Sequence, residues 1–210
     1  MKATKSNIRS EKIVLLGPSS AGKTSLVNRI ISDKFSHSMK ATIGAAFMSK
    51  TLNIEGVDMR LDIWDTGGSE KYKALAPMYY RDARGIIIVY DLTNPNSIHE
   101  AQSWIDEVRL NNKNEMVIVG AANKSDLIEN RQITKEEVDD FGFINQLDCF
   151  METSALTGDN VVPLFNELCV LLSKLQPLPS KQKDIVQLSQ QQIIRTPQPE
   201  PTSSPSSCSC

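Results

Sequence analysis

Short apolar runs rich in β-branched residues alternate with helix-periodic stretches from Glu11 to about Gln176. The runs Lys12–Leu16, Met59–Trp64, Gly85–Tyr90 and Met116–Gly120 have the length of strands. They read as strands buried on both faces. Apolar spacing of three and four marks Lys23–Ile31, Ser97–Leu110 and Thr134–Phe141 as helices between them. This alternation predicts an α/β domain with a mostly parallel sheet. Thr42–Ile54 and Val57–Trp64, joined by Glu55-Gly56, read as one antiparallel hairpin at the sheet edge. A further short strand, Asp148–Met151, precedes the last helix. That helix is expected to start at Asn160 as its N-cap, with Pro163 in the first turn. Val161, Leu164, Leu168, Leu172 and Leu175 form its apolar stripe.

Composition divides the chain. Residues 1–10 read as a flexible N-terminus and 11–176 as the folded domain. Residues 177–210 read as a disordered tail, where Pro177, Pro179, Pro197, Pro199, Pro201 and Pro205 mix with Gln and Ser. Within that tail, Ile185–Ile194 has the pattern of a transient helix. The full length of 210 residues allows one sizeable core and a tail. A formal net charge of −2 gives no electrostatic case for nucleic acid as a partner. No apolar run reaches the roughly 18 residues that a membrane-spanning helix needs. The start, Met1-Lys2-Ala3-Thr4-Lys5, has neither an apolar signal core nor a glycine for myristoylation. Of the four cysteines, Cys149 and Cys169 lie in apolar, core-like stretches, and Cys208 and Cys210 end the chain. Uneven spacing argues against a disulfide framework and for a reducing compartment.

Gly17-Pro18-Ser19-Ser20-Ala21-Gly22-Lys23-Thr24 follows a predicted strand and opens a helix, the context a phosphate-binding loop requires. Its glycines let backbone N–H groups approach phosphate oxygens, and the helix N-terminus adds a favourable dipole. Lys23 is expected to reach the β- and γ-phosphates, and the Thr24 hydroxyl to ligate Mg²⁺. Such a loop alone serves ATP as well as GTP. Asn123-Lys124-Ser125-Asp126, at the carboxyl end of the Met116–Gly120 run, points to guanine. A carboxylate at Asp126 accepts from both N1–H and the 2-amino group of guanine, and adenine offers no such pair. Thr153-Ser154-Ala155 follows the Asp148–Met151 strand, and its backbone is expected to donate to the guanine 6-oxygen. Asp65-Thr66-Gly67-Gly68 ends the Met59–Trp64 strand. Asp65 is a candidate to hold Mg²⁺ through water, and Gly68 to turn its N–H to the γ-phosphate. Thr42 is a candidate ligand of both the metal and that phosphate.

Together these residues resemble the Ras superfamily of small GTPases, and the Rab family in particular. The resemblance runs from about Lys12 to Leu175 and includes the C-terminus. Its Rab-like pieces are Thr42–Phe47, Leu61–Thr66, Tyr79–Ala83 and Ile88–Thr93. Thr42–Phe47 and Leu75–Arg81 look most like the early-endosomal Rab-five branch. The resemblance implies a P-loop small-GTPase fold, with six mostly parallel strands and helices on both faces. It places the first switch at Ser32–Thr42 and the second at Thr66–Tyr80. The implied nucleotide-binding set is Ser19, Ser20, Ala21, Gly22, Lys23, Thr24, Ser25, Phe35, Thr42, Gly68, Asn123, Lys124, Asp126, Ser154, Ala155 and Leu156. Phe35 would pack against the base, and Ala155 and Leu156 would close its pocket. Phe47, Trp64 and Tyr79 match an aromatic triad read by effectors; core packing is the competing explanation for them. The Cys208-Ser209-Cys210 end matches a doubly geranylgeranylated Rab terminus, and two chains anchor stably where one is marginal.

The resemblance implies a GTP/GDP switch in vesicle traffic, with Mg²⁺, on the cytosolic face of endosomal membranes. Its expected partners are effectors, an exchange factor, an activating protein, a GDP-dissociation inhibitor and a prenylation escort, around a monomer. One departure is clear. The family places Ala-Gly-Gln after the aspartate and threonine, and this chain has Gly67-Gly68-Ser69. The family glutamine orients the attacking water, and Ser69 is too short to place water the same way. The catalytic set is then Lys23, Thr42, Gly68 and the substituted Ser69, and slow intrinsic hydrolysis is expected. A GTP-loaded binding scaffold with negligible hydrolysis is the alternative.

Overall fold

The structure is a computed structural model and describes residues 8–68, 75–112 and 114–176. Ser69, the tail from 177 and the terminal Cys208 and Cys210 lie outside the described residues. Six strands form one sheet: β1 (Arg9–Leu16), β2 (Ala45–Ile54), β3 (Val57–Thr66), β4 (Gly85–Asp91), β5 (Val117–Asn123) and β6 (Cys149–Thr153). Their order is β2-β3-β1-β4-β5-β6. All neighbours pair in parallel except β2, which runs antiparallel to β3. The predicted hairpin turn lies at Glu55 and Gly56, with φ of 52° and 84°. Two successive positive values are what a two-residue turn needs to follow the twist of the strands.

The helices are α1 (Lys23–Ser32), α2 (Ala76–Tyr80), α3 (Asn96–Asn111), α4 (Lys135–Ile144) and α5 (Val161–Lys174). Side chains alternate across each strand, so each central strand feeds two cores. Ile13 and Leu15 pack with Leu26 and Ile30 of α1 and Leu164 and Leu168 of α5. Val14 and Leu16 pack on the opposite face with Trp104 of α3 and Phe141 of α4. That double burial is why β1, β4 and β5 read as continuous apolar runs.

Helix ends explain several boundaries. Thr134 caps α4 reciprocally with Glu137: its hydroxyl accepts from the Glu137 N–H at 3.2 Å, and Glu137 accepts from the Thr134 N–H at 2.7 Å. Asn160 occupies the N-cap position of α5 without capping it. Its φ of 55° turns its side chain away, and its amide donates to the Glu152 carbonyl at 2.9 Å. At the other end of α5, Arg9 donates to the carbonyls of Leu172 and Leu175 at 2.6 and 2.9 Å. A cation there satisfies terminal carbonyls and complements the helix dipole. That task draws Arg9 and Ser10 into β1, although the sequence reads them as part of the N-terminal segment. Cys169 is buried, and burial pushes its thiol up to about 12. Cys149 is only half-buried, less than its core-like setting suggests.

Arg131 grips Glu152 of β6 through two hydrogen bonds, of 2.8 and 2.6 Å. The Arg131 guanidinium holds the Glu152 carboxyl below the ordinary carboxylate value. Its stabilising contribution is therefore complete above that ordinary value and is lost as pH falls through the folded value. Glu152→Gln is expected to cost about 1 kcal/mol at neutral pH and nothing in strong acid, where Glu152 is already protonated. Urea melts at the two pH values check this; an equal loss at both would contradict it.

Candidate functional site

The sheet order reverses around β1, and ligands of open α/β sheets sit beyond the carboxyl ends of strands at such a point. The loop from Gly17 leaves β1 there and feeds α1. Gly17 has φ 142°, and a Cβ on it would lie 2.0 Å from the Val89 carbonyl oxygen. Only glycine lets the loop pass that close to β4. Lys23 opens α1 and is 5% exposed. Its ammonium donates to the carbonyls of Gly17 and Pro18 at 2.8 and 2.7 Å. Burial pulls it down to about 8, and the neighbouring Asp65 only partly offsets this. A buried cation so perturbed suits an anionic ligand.

Thr24, Thr42 and Asp65 converge beside it. The Thr24 hydroxyl donates to Asp65 Oδ2 at 2.6 Å and lies 2.8 Å from the Thr42 hydroxyl. Thr42 also donates to that oxygen at 3.3 Å. Asp65 is fully buried, and burial raises its carboxyl despite these hydrogen bonds. Its Oδ1 has no partner. Three hard oxygen donors and an orphaned carboxylate oxygen fit Mg²⁺. Thr24 and Thr42 would ligate it, with Asp65 behind them acting through water.

The cleft has two connected ends that share Ser20, Gly22, Ser25, Phe35 and His37. The phosphate end, of about 580 Å³, is lined by Ser19, Ser20, Gly22, Lys23, Thr24, Ser25, Phe35, Thr42 and Gly68. The base end, of about 200 Å³, is lined by Asn123, Lys124, Asp126, Ala155 and Leu156. Ala21 and Ser154 lie behind this lining. The Ala21 carbonyl accepts from the Asn123 amide at 2.8 Å. The Ser154 hydroxyl donates to Asp126 at 2.5 Å and so fixes that carboxylate. Asn123 is a clamp: its Oδ1 also accepts from Thr153 and from the Ala155 N–H, at 3.3 and 3.2 Å. Lys124, in the left-handed region at φ 70°, pairs with Asp91 at 2.6 Å.

Sequence reasoning missed Asp91, and also His37, whose ring meets Phe35 edge-on at 5.0 Å between centroids. Neither belongs to a motif that binds nucleotide. The aromatic triad forms a contiguous cluster, with centroids 5.4 Å apart for Phe47–Trp64 and 6.1 Å for Trp64–Tyr79. Its centre, Trp64, is buried at 5% exposure in a core cluster with Ala76 and Tyr80 of α2, so core packing claims that residue. Phe47, at 37%, is exposed, as are Ile43 and Met78, at 81% and 70%. The most exposed apolar side chains of the Thr42–Phe47 and Leu75–Arg81 stretches are therefore Ile43 and Met78, outside the aromatic triad itself.

A Ras family model matches residues 12–174. Ras-related protein RABF2a of Arabidopsis thaliana is 45% identical over 79% of this chain and 82% of its own length. Ras-related protein Rab5 of Nicotiana tabacum is 42% identical over 84% of this chain and 88% of its own. Ras-related protein RHN1 of Nicotiana plumbaginifolia is 43% identical over the same shares.

Proposed function

This chain belongs to the Ras family, as a Rab of the Rab5 branch and a GTP-dependent switch in membrane traffic, and we propose that it switches by sensing the third phosphate through Thr42 and Gly68. The observation that carries this reading is the meeting of Thr24, Thr42 and Asp65 beside Lys23. Bound Mg²⁺ would offset phosphate charge there. Lys23 would neutralise the β- and γ-phosphates, and the Gly68 N–H would donate to the third. Asp126 would read the guanine edge. Loss of the third phosphate removes the partners of Thr42 and Gly68, so the first and second switches relax and effectors leave. Effectors discriminate only because they prefer the ordered arrangement.

Proteins of this family work with effectors, exchange factors, activating proteins and a dissociation inhibitor. We place this chain on endosomal membranes, held by prenyl groups on Cys208 and Cys210. Among the described residues no helix is long and apolar enough to cross a membrane.

Hydrolysis needs a water placed in line with the third phosphate, and Ser69 stands where the family has glutamine. Intrinsic hydrolysis is therefore slow, and the GTP form persists. Ser69→Gln is expected to raise the single-turnover rate at least about tenfold. An unchanged rate would refute the role given to Ser69. Serine in place of the family glutamine also favours a second reading, a GTP-loaded scaffold limited by nucleotide exchange. Turnover with an activating protein present separates the two: acceleration supports the cycling switch, and none supports the scaffold.

A further inference from the structure

Arg29 lies on α1, 13% exposed, outside every nucleotide motif, and it makes four hydrogen bonds to two other segments. Its Nε donates to the Ala155 carbonyl at 3.0 Å, and its Nη2 to the Leu156 carbonyl at 2.5 Å. Its Nη1 donates to the carbonyl and the carboxylate of Asp33, at 3.1 and 2.9 Å. Asp33 ends α1 in the left-handed region, with φ 54°, and its N–H donates to the Arg29 carbonyl at 2.9 Å. The chain leaves this point for Phe35, which lines the base end of the cleft. One guanidinium thus ties the phosphate-loop helix to both walls of the base end.

The direction of these bonds matters. A trans peptide points its C=O and the next N–H to opposite sides. Holding the Ala155 and Leu156 carbonyls against α1 therefore turns the N–H groups of Leu156 and Thr157 away from α1. The Thr157 N–H goes to the Ser154 hydroxyl at 3.0 Å, the same hydroxyl that fixes Asp126. The rigid fork of arginine suits two adjacent carbonyls, and a lysine's single point charge does not.

We propose that Arg29 is a positioning residue for guanine recognition: it presents the Leu156 N–H, in the Ala155–Leu156 peptide, to the 6-oxygen of the base and sets the width of the base end. This rests on the reading of Asp126 and the 154–156 loop as the guanine site. The test compares release of GDP and of 6-thioguanosine diphosphate, in which sulfur replaces the 6-oxygen, from the full chain with Mg²⁺. The wild type is expected to release the thio analogue faster than GDP. Arg29→Gln is expected to release GDP about tenfold faster. The analogue gains less, so the ratio of the two rates shrinks toward one. Arg29→Lys keeps the charge without the fork and moves the ratio the same way by less, which supplies the reading if the Gln variant does not fold. Equal acceleration of both nucleotides would show a merely structural clamp and overturn the proposal, as would a wild-type ratio of one. Asp126→Asn is the control. If it keeps full guanine preference, the base-site reading fails and takes the proposal with it. If it loses that preference while Arg29→Gln leaves the ratio unmoved, the proposal alone fails.

Discussion

Asp126→Asn is expected to weaken GTP binding by about two to three orders of magnitude and to favour xanthine nucleotides instead. On the proposed reading the carboxylate would accept two hydrogen bonds from the guanine edge, and bonds to a charged group are each worth about 1.5–3 kcal/mol. Losing most of that, about 3–4 kcal/mol, is a factor of several hundred. Xanthine carries an oxygen in place of the 2-amino group, and an asparagine amide can donate to it. The loop itself should survive, because the Ser154 hydroxyl that donates to Asp126 can donate equally to an amide oxygen. Competition between GDP and xanthosine diphosphate measures the effect. An unaltered preference for guanine would defeat the assignment of the base end.

Gly68→Ala is expected to keep GDP binding within a few-fold and to abolish the distinction between GTP and GDP. A Cβ at Gly68 would lie 2.4 Å from the Lys23 ammonium and 2.5 Å from the carbonyl carbon and oxygen of Pro18. The lysine could give way, but the loop backbone at Pro18 could not without losing its phosphate cradle. The variant should therefore be held out of the arrangement that reads the third phosphate. Its effect on stability should be small, within about 0.5–1 kcal/mol, because φ at Gly68 is not in the left-handed region. Equilibrium titration with GDP and with a non-hydrolysable GTP analogue checks this. A variant that distinguishes the analogue from GDP to the same extent as the wild type would contradict it.

Much of this was legible in the chain because the relevant physics is local. Gly17 and Lys23 sit at fixed offsets from a strand end, and the doubly buried strands announce themselves as unbroken apolar runs. Glu55-Gly56 gives its turn away by residue type. What stayed hidden depends on contacts between distant segments. The helix α2 has only five residues and Pro77 in its first turn, so it shows no period. Trp64 looks like a surface aromatic until α2 covers its face of β3. Lys124 pairs with Asp91 across 33 residues, and Arg29 reaches Leu156 across 127. Asn160 has the residue type of a cap, but the pull of the Glu152 carbonyl on its amide outweighs that local preference.

The central claim is that Thr42 and Gly68 respond to the third phosphate. Backbone hydrogen exchange across residues 36–44 and 66–68, with Mg²⁺ and either GDP or a non-hydrolysable GTP analogue, tests it most directly. The account predicts marked protection of both segments with the analogue and its loss with GDP, while the strands β4 and β5 exchange alike in both. Identical exchange of the two segments in the two nucleotide states would contradict it.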